Sequence, residues 1–259
     1  MTQTCKNCGN HFKGIFCNNC GQKFAVERFS FRHIFSEVIH AFTHADKGFL
    51  SLLKKMTVNP GLIAYEYIVE FRRKKYFNLF TFFVLITAIA AYIENKDVLL
   101  KEDMFRMNNI YGIRLIFYNK LLSAIIIPAV ALAVWLIHFP KRRLLYSEYT
   151  VFAMLLMSLK AILDIIANLF DYAGTFISHK YIEVSESAGY AVVLLVAISI
   201  ACFVFHKKLK NGSWWQSMLC AASFIIIQYV AQLFVVWAVI NRFSRIGIFK
   251  IYGIEISDL

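Results

Sequence analysis

Charge, proline and a leader segment are what this sequence lacks. Only 17% of its 259 residues are charged and only three are proline, whereas soluble domains carry about 25% charged residues. So little charge excludes an ordinary water-facing surface, and so few prolines leave long helices uninterrupted. Residues 1–10 hold two cysteines and no apolar core, which excludes a secretory signal there; the amino terminus is expected to stay uncleaved and unexported by that route. No nucleophile constellation and no open metal triad stands out, so an enzyme is the lesser expectation.

What is present is apolar. Hydrophobic residues make up 59% of the chain and aromatics 16%, and they gather into five runs at about 77–93, 121–139, 149–170, 188–205 and 217–240. A helix rises about 1.5 Å per residue, so about 20 residues cross a hydrocarbon core of about 30 Å. The second, fourth and fifth runs contain no Lys, Arg, Asp or Glu. The net charge of +12 would suggest nucleic acid in a soluble protein, but its placement points to a membrane instead. Twelve Lys and Arg precede the first run, ending in Arg72, Arg73, Lys74 and Lys75. Lys141, Arg142 and Arg143 follow the second run, and Lys207, Lys208 and Lys210 the fourth. The stretch 171–187 sets Lys180 against Asp171, Glu183 and Glu186. By the positive-inside rule this predicts a cytoplasmic amino terminus and an outer carboxyl terminus. Arg242, Arg245 and Lys250 oppose the last placement, so four spans is the alternative.

Four of the six cysteines lie at Cys5, Cys8, Cys17 and Cys20, in a twelve-residue repeat where CKNCGNHF returns as CNNCGQKF. Two thiolates two residues apart grip one ion only if the backbone turns sharply, and Gly9 and Gly21 after each pair relieve that turn. Two facing knuckles supply four sulfurs, the closed geometry of structural zinc, although the eight-residue spacer is shorter than usual. A cytosolic setting keeps such thiols reduced. The ribbon has almost no apolar core, so Zn2+ is expected to supply its folding energy. A filled tetrathiolate leaves no open position for substrate. His11 reads as a solvated turn residue beside four sufficient ligands. Lys6, Lys13 and Lys23 read as a solvated face or as contacts to nucleic acid or anionic lipid. Cys202 and Cys220 lie in apolar runs and read as buried packing residues rather than a disulfide.

Between ribbon and first run, SFRHIFSEVIHAFTH puts Phe31, Ile34, Phe35, Val38, Ile39 and Phe42 on one helical face. His33, Glu37, His40 and His44 line the opposite face, with Asp46 just beyond. That polar face is either the wet side of an amphipathic helix or a second metal or phosphate site. A second helix is expected after Asn59, which can cap it with Pro60 in the first turn, and should carry LIAYEYIVEFRRKK along the membrane surface.

The ribbon, the amphipathic stretch, the Pro60–Gly61 turn and the EYI…R…YFN entry into the first run together resemble a family of bacterial multi-span inner-membrane proteins of unknown function. The matching residues are Cys5, Cys8, Cys17, Cys20, Gly21, Gln22, Pro60, Gly61, Glu66, Tyr67, Ile68, Arg72, Tyr76, Phe77 and Asn78. The family pattern has Gly-Lys before the arginine and Pro after the asparagine; here Glu70, Phe71 and Leu79 stand there. The resemblance covers about the first 90 residues and implies an inner-membrane location, with no catalytic residues to carry over.

Inside the third run, Lys160, Asp164, Asn168 and Asp171 form one stripe at i, i+4, i+8 and i+11. A charge at a span centre costs roughly 2.5–3.5 kcal/mol on insertion scales, and Lys160 and Asp164 can neutralise each other. Gln228 and Gln232 make a second polar pair in the fifth run, expected to hydrogen-bond toward the third. The stripe is either a structural lock or a proton or solute path.

The sequence therefore predicts an all-α integral membrane bundle of about five spans (residues 77–259), a small zinc ribbon (1–26), and amphipathic interfacial helices between (27–76). The leading functional expectation is a non-enzymatic inner-membrane anchor or scaffold whose ribbon contacts a cytosolic protein while Arg72–Lys75 meet anionic headgroups. A small transporter or channel using Lys160 and Asp164 is the alternative, and a lipid-modifying enzyme using the His33–His44 face the third.

Overall fold

The computed structural model describes residues 2–24, 48–105, 124–137, 144–180, 182–185, 187–209 and 213–245. The expected amphipathic helix over 30–44, with His33, Glu37, His40 and His44, lies outside them.

Among the described residues the chain is helical apart from one small sheet. Strands β1 (Gln3–Thr4) and β2 (His11–Phe12) pair antiparallel, Gln3 opposite Phe12 and Thr4 opposite His11. Seven helices follow: α1 (Phe49–Val58), α2 (Pro60–Ile68), α3 (Leu79–Phe105), α4 (Ile127–Ile137), α5 (Tyr146–Ser178), α6 (Ala188–Lys208) and α7 (Trp214–Arg245), with a short 3-10 turn at Arg73–Lys75 between α2 and α3. This is an all-α bundle with a small cysteine-rich amino-terminal unit.

Local chemistry sets the helix starts. Asn59 Oδ1 accepts the Leu62 amide at 3.1 Å, with Pro60 in the first turn of α2. Asn78 Oδ1 takes the amides of Phe80 and Thr81 and starts α3. Ser187 Oγ takes the Tyr190 amide and starts α6, whose last turn carries His206, Lys207 and Lys208 against the negative end of the helix dipole. The Glu148 carboxylate accepts the Leu145 amide at the start of α5.

Among the described residues, four helices are long and apolar enough to cross a membrane, over Leu79–Lys101, Tyr146–Ser178, Ala188–Lys208 and Trp214–Phe234. A helix is the element that satisfies every backbone group within itself in lipid. Of the segment expected to span at 121–139, residues 124–137 are described, and α4 takes 11 of them, about 16 Å of helix. A turn at Ile126 and Pro128 mark its start. The third run is longer than expected, reaching Ser178 at 33 residues.

α5 is the central helix. Its most apolar window is 78% buried by protein, against about a third for the other three, and it packs on α3, α4 and α2. The helix α2 also departs from the expected interfacial one, since seven of its nine residues are buried. A Cβ on Gly61 would stand 2.9 Å from Val204 Cβ and 3.0 Å from Phe205 N, so only a glycine lets α2 lie this close to α6. The helix also stops at Ile68 rather than running through to Lys75. Phe71 then takes a left-handed φ of 56°, turning the chain toward α3.

The contacts fix helix directions. Phe152 of α5 stacks on Phe205 near the end of α6 at 4.2 Å, Phe49 of α1 packs on Phe77 and Phe82, and Phe203 meets Trp214. The starts of α3, α5 and α7 and the end of α6 therefore share one end of the bundle with α2 and the ribbon. The long helices α3 and α5 therefore run parallel, and α4 packs on α5 and α7.

Candidate metal centre and bundle-end polar site

The two knuckles fold as the repeat predicts. Gly9 N donates to Cys5 O and Cys5 N to Asn10 O; twelve residues on, Gly21 N donates to Cys17 O and Cys17 N to Gln22 O, all at 2.8–2.9 Å. The β1–β2 pair Thr4–His11 recurs as the bridge Phe16–Lys23. Gly9 and Gly21 take φ of 74° and 71°, the left-handed values that a side chain resists. This symmetry brings Cys5, Cys8, Cys17 and Cys20 together with all four Sγ within 4.8 Å, a group that could hold a metal ion. Burial pushes the Cys17 thiol up, but amides of Cys20 and Asn19 and the Cys8 and Cys5 sulfurs outweigh it, bringing it down to about 6. Cys20 is lowered against burial by similar donors, whereas burial pushes Cys5 up to about 11. His11 faces Thr4 Oγ1 at 3.0 Å and stands outside the sulfur group.

The ribbon is tied to the elbow between α2 and α3. Gln22, 4% exposed, donates from Nε2 to Phe71 O at 2.8 Å, and its Oε1 accepts the Lys74 amide at 3.4 Å. Lys6 and Arg73 both sit over the Phe71 ring, at 4.8 and 5.6 Å, a cation–π arrangement. The left-handed turn at Phe71 turns its carbonyl and ring toward the ribbon. Beneath it Glu66 accepts from Lys75 Nζ and the Tyr76 hydroxyl and pairs with Arg72 at 3.6 Å. Burial raises the Glu66 carboxyl, but these neighbours outweigh it and hold it below its ordinary value; burial and Glu66 together push Tyr76 up.

The α5 stripe lies at the far end of the bundle. Lys160 Nζ reaches Asp164 Oδ2 and Oδ1 at 2.7 and 2.9 Å, and the Tyr190 hydroxyl of α6 donates to Asp164 Oδ1. Asn168 Nδ2 donates to Asp164 O at 2.8 Å. Asp171, fully buried, accepts the amides of Val184 and Ser185 and folds the following loop back on the helix. It is helical, not the loop residue the charge pattern suggested. On α3, Asp97 and Lys101 form a second buried i,i+4 pair at 2.8 Å, with Asp171 and Glu183 close enough to act on Asp97 electrostatically. Tyr190 is the third residue of α6, and Asp164 lies about 27 Å along α5 from Tyr146. The pair thus lies near mid-length of α5 but meets the first turn of α6. Below it, residues 151–157 of α5 are all apolar and all buried.

Gln228 and Gln232 both lie on α7. α7 packs on α6 and α4, and the partner that Asp164 finds across the interface is Tyr190. Cys202 and Cys220 form no disulfide and are fully buried thiols within contact of each other. Sequence reading missed Asp97, Lys101 and Tyr190. The i,i+4 charges beyond the end of the first run were the available signal for the first two, whereas nothing in its local sequence marks Tyr190 as a partner of Asp164. Comparisons with protein-family models, curated proteins and solved structures return no match.

Proposed function

We propose that this is a non-enzymatic anchor of the bacterial inner membrane, with its amino terminus cytoplasmic, that holds a zinc ribbon at the membrane surface as a docking element for a cytosolic protein. The observation that carries this reading is the buried Gln22, which ties the second knuckle to the elbow backbone at Phe71 and Lys74. A ribbon fixed in this way presents a defined surface rather than a tethered bead. Zinc is supported by the donor chemistry. Sulfurs about 2.3 Å from a tetrahedral zinc lie about 3.8 Å apart, and Cys5–Cys20 and Cys8–Cys17 stand at 3.5 and 3.6 Å. Four thiolates close the coordination shell, so the ion stabilises the fold and offers no substrate position. The family resemblance fits this picture: Gln22, Glu66, Arg72, Tyr76 and Asn78 all fall in the ribbon, elbow and α3 cap.

The test is photocrosslinking in intact cells from Asn18 and Asn19, both exposed at the second knuckle. One discrete soluble-protein adduct, lost in Cys17→Ser, supports docking. No adduct from either position, in a protein that retains its metal and membrane insertion, defeats it. A transport reading draws on Lys160, Asp164 and Tyr190. The dry, wholly apolar stretch of α5 below them favours a lock over a path, and flux assays in liposomes with Asp164→Asn address it directly.

A further inference from the structure

The twelve-residue repeat is symmetric in backbone but not in surface. Gln3 and Thr4 of the first half correspond to Ile15 and Phe16 of the second, and His11 to Lys23. The second half therefore carries an apolar pair where the first carries two polar side chains. Ile15 is 66% and Phe16 61% exposed, whereas Phe24 is 41% exposed and sets its ring against Phe12. Phe24 N donates to Ile15 O at 2.9 Å, which sets Phe24 beside Ile15, whereas Phe16 pairs with Lys23; the apolar tip is the adjacent Ile15 and Phe16. Lys13 and Lys23, both exposed, flank it, and residues 2–24 contain no Asp or Glu.

We propose that Ile15 and Phe16 insert into the headgroup layer of the membrane that the bundle crosses, with Lys13 and Lys23 on the phosphates of anionic lipids. Three observations favour lipid over another occupant. The apolar pair lies in the half of the ribbon that Gln22 ties to the elbow, and Phe71 precedes the first residue of α3 by only eight positions. The ribbon is therefore held beside the start of a membrane helix. Its uncompensated lysines continue the charge of the elbow, where Lys74 and Lys75 are exposed, and of α1, where Lys54 and Lys55 are exposed. An apolar tip ringed by lysines is the combination that binds anionic bilayer surfaces, because the tip gains burial while the cations stay at headgroup level. This inference needs the membrane placement of the bundle but no protein partner, so it and the docking reading fail separately.

The test uses the full-length, metal-loaded chain in vesicles. Phe16→Trp adds one reporter to the four native tryptophans, whose signal the wild type subtracts. Lipids brominated near the headgroup should quench the added signal in phosphatidylglycerol-containing vesicles, and acrylamide in the water should quench it less than in detergent. Each lysine near an anionic surface favours the bound state about fivefold. Lys13→Gln with Lys23→Gln, or vesicles of phosphatidylcholine alone, should therefore move the reporter toward water. Quenching by acrylamide and not by bromolipid overturns the proposal. Protection from both also overturns it, because the patch is then covered by protein. Metal content reports the fold of each variant, and Ile15→Trp replaces Phe16→Trp if that substitution releases the ion.

Discussion

Replacing Asp164 with leucine tests whether the stripe on α5 is a lock. Lys160 and Asp164 are 14% and 11% exposed and bonded at 2.7 Å, and the Tyr190 hydroxyl shares the carboxylate. Removing the acid strands an ammonium in protein, a change that costs about 3–5 kcal/mol for buried pairs. It also removes the acceptor of Tyr190, worth about 1–3 kcal/mol for a buried group left unmade. The lysine stem can carry its head partly toward the bundle end, which keeps the net loss of Asp164→Leu near about 3–5 kcal/mol. At about 2–4 °C per kcal/mol for a chain of this size, thermal unfolding in micelles should shift down by roughly 6–20 °C. Lys160→Met with Asp164→Leu should recover most of this, and adding Tyr190→Phe should bring stability within about 1 kcal/mol of wild type, since matched apolar replacement of a buried pair is often neutral. The cycle separates pairing from the single losses. A triple variant no more stable than Asp164→Leu refutes the lock. So does a single variant of unchanged stability that has lost flux.

Gly61→Ala should lower the unfolding temperature although alanine favours helices by about 1 kcal/mol. The added Cβ at 2.9 Å from Val204 Cβ and 3.0 Å from Phe205 N meets backbone and a branched side chain, and such overpacking costs about 1–3 kcal/mol or more. Gln22→Ala should leave one metal per chain but raise proteolytic cleavage between ribbon and elbow, measured on the intact protein in micelles. Cys17→Ser should abolish bound zinc by elemental analysis and unfold residues 2–24, whereas His11→Ala should change neither. Glu66 is held below its ordinary carboxyl value, so its contribution is present above the unfolded pKa of about 4.3 and is lost as pH falls through the folded value. Hydrogen exchange of residues 69–75 should accelerate below about pH 4 in wild type and show no such step in Glu66→Gln.

Much of the fold is legible in the chain because its signals are local. Uncharged runs mark the helices around residues 188–205 and 217–240, and Asn59 with Pro60 marks the start of α2. The repeat of Cys, Gly and Phe places four sulfurs together before any coordinates exist. Boundaries were less legible where polar residues continue a helix, as at Asp97, Lys101 and Asp171. A charge after an apolar run reads as a loop unless its partner is known; Asp97 and Lys101 pair with each other along α3, while Asp171 finds its partners in the turn at Val184 and Ser185.

Composition and spacing by themselves determined a membrane bundle, a four-sulfur ribbon and an i,i+4 ion pair, because each depends on neighbours along one segment. Only the tertiary structure decided that the ion pair is shared with Tyr190 at the start of α6, since that depends on which helices pack and in which direction. It also decided that α2 is buried against α6 through Gly61, and that Gln22 bridges 49 residues to Phe71. The sequence carries the donors and acceptors; the approach of separate helices chooses which of them meet.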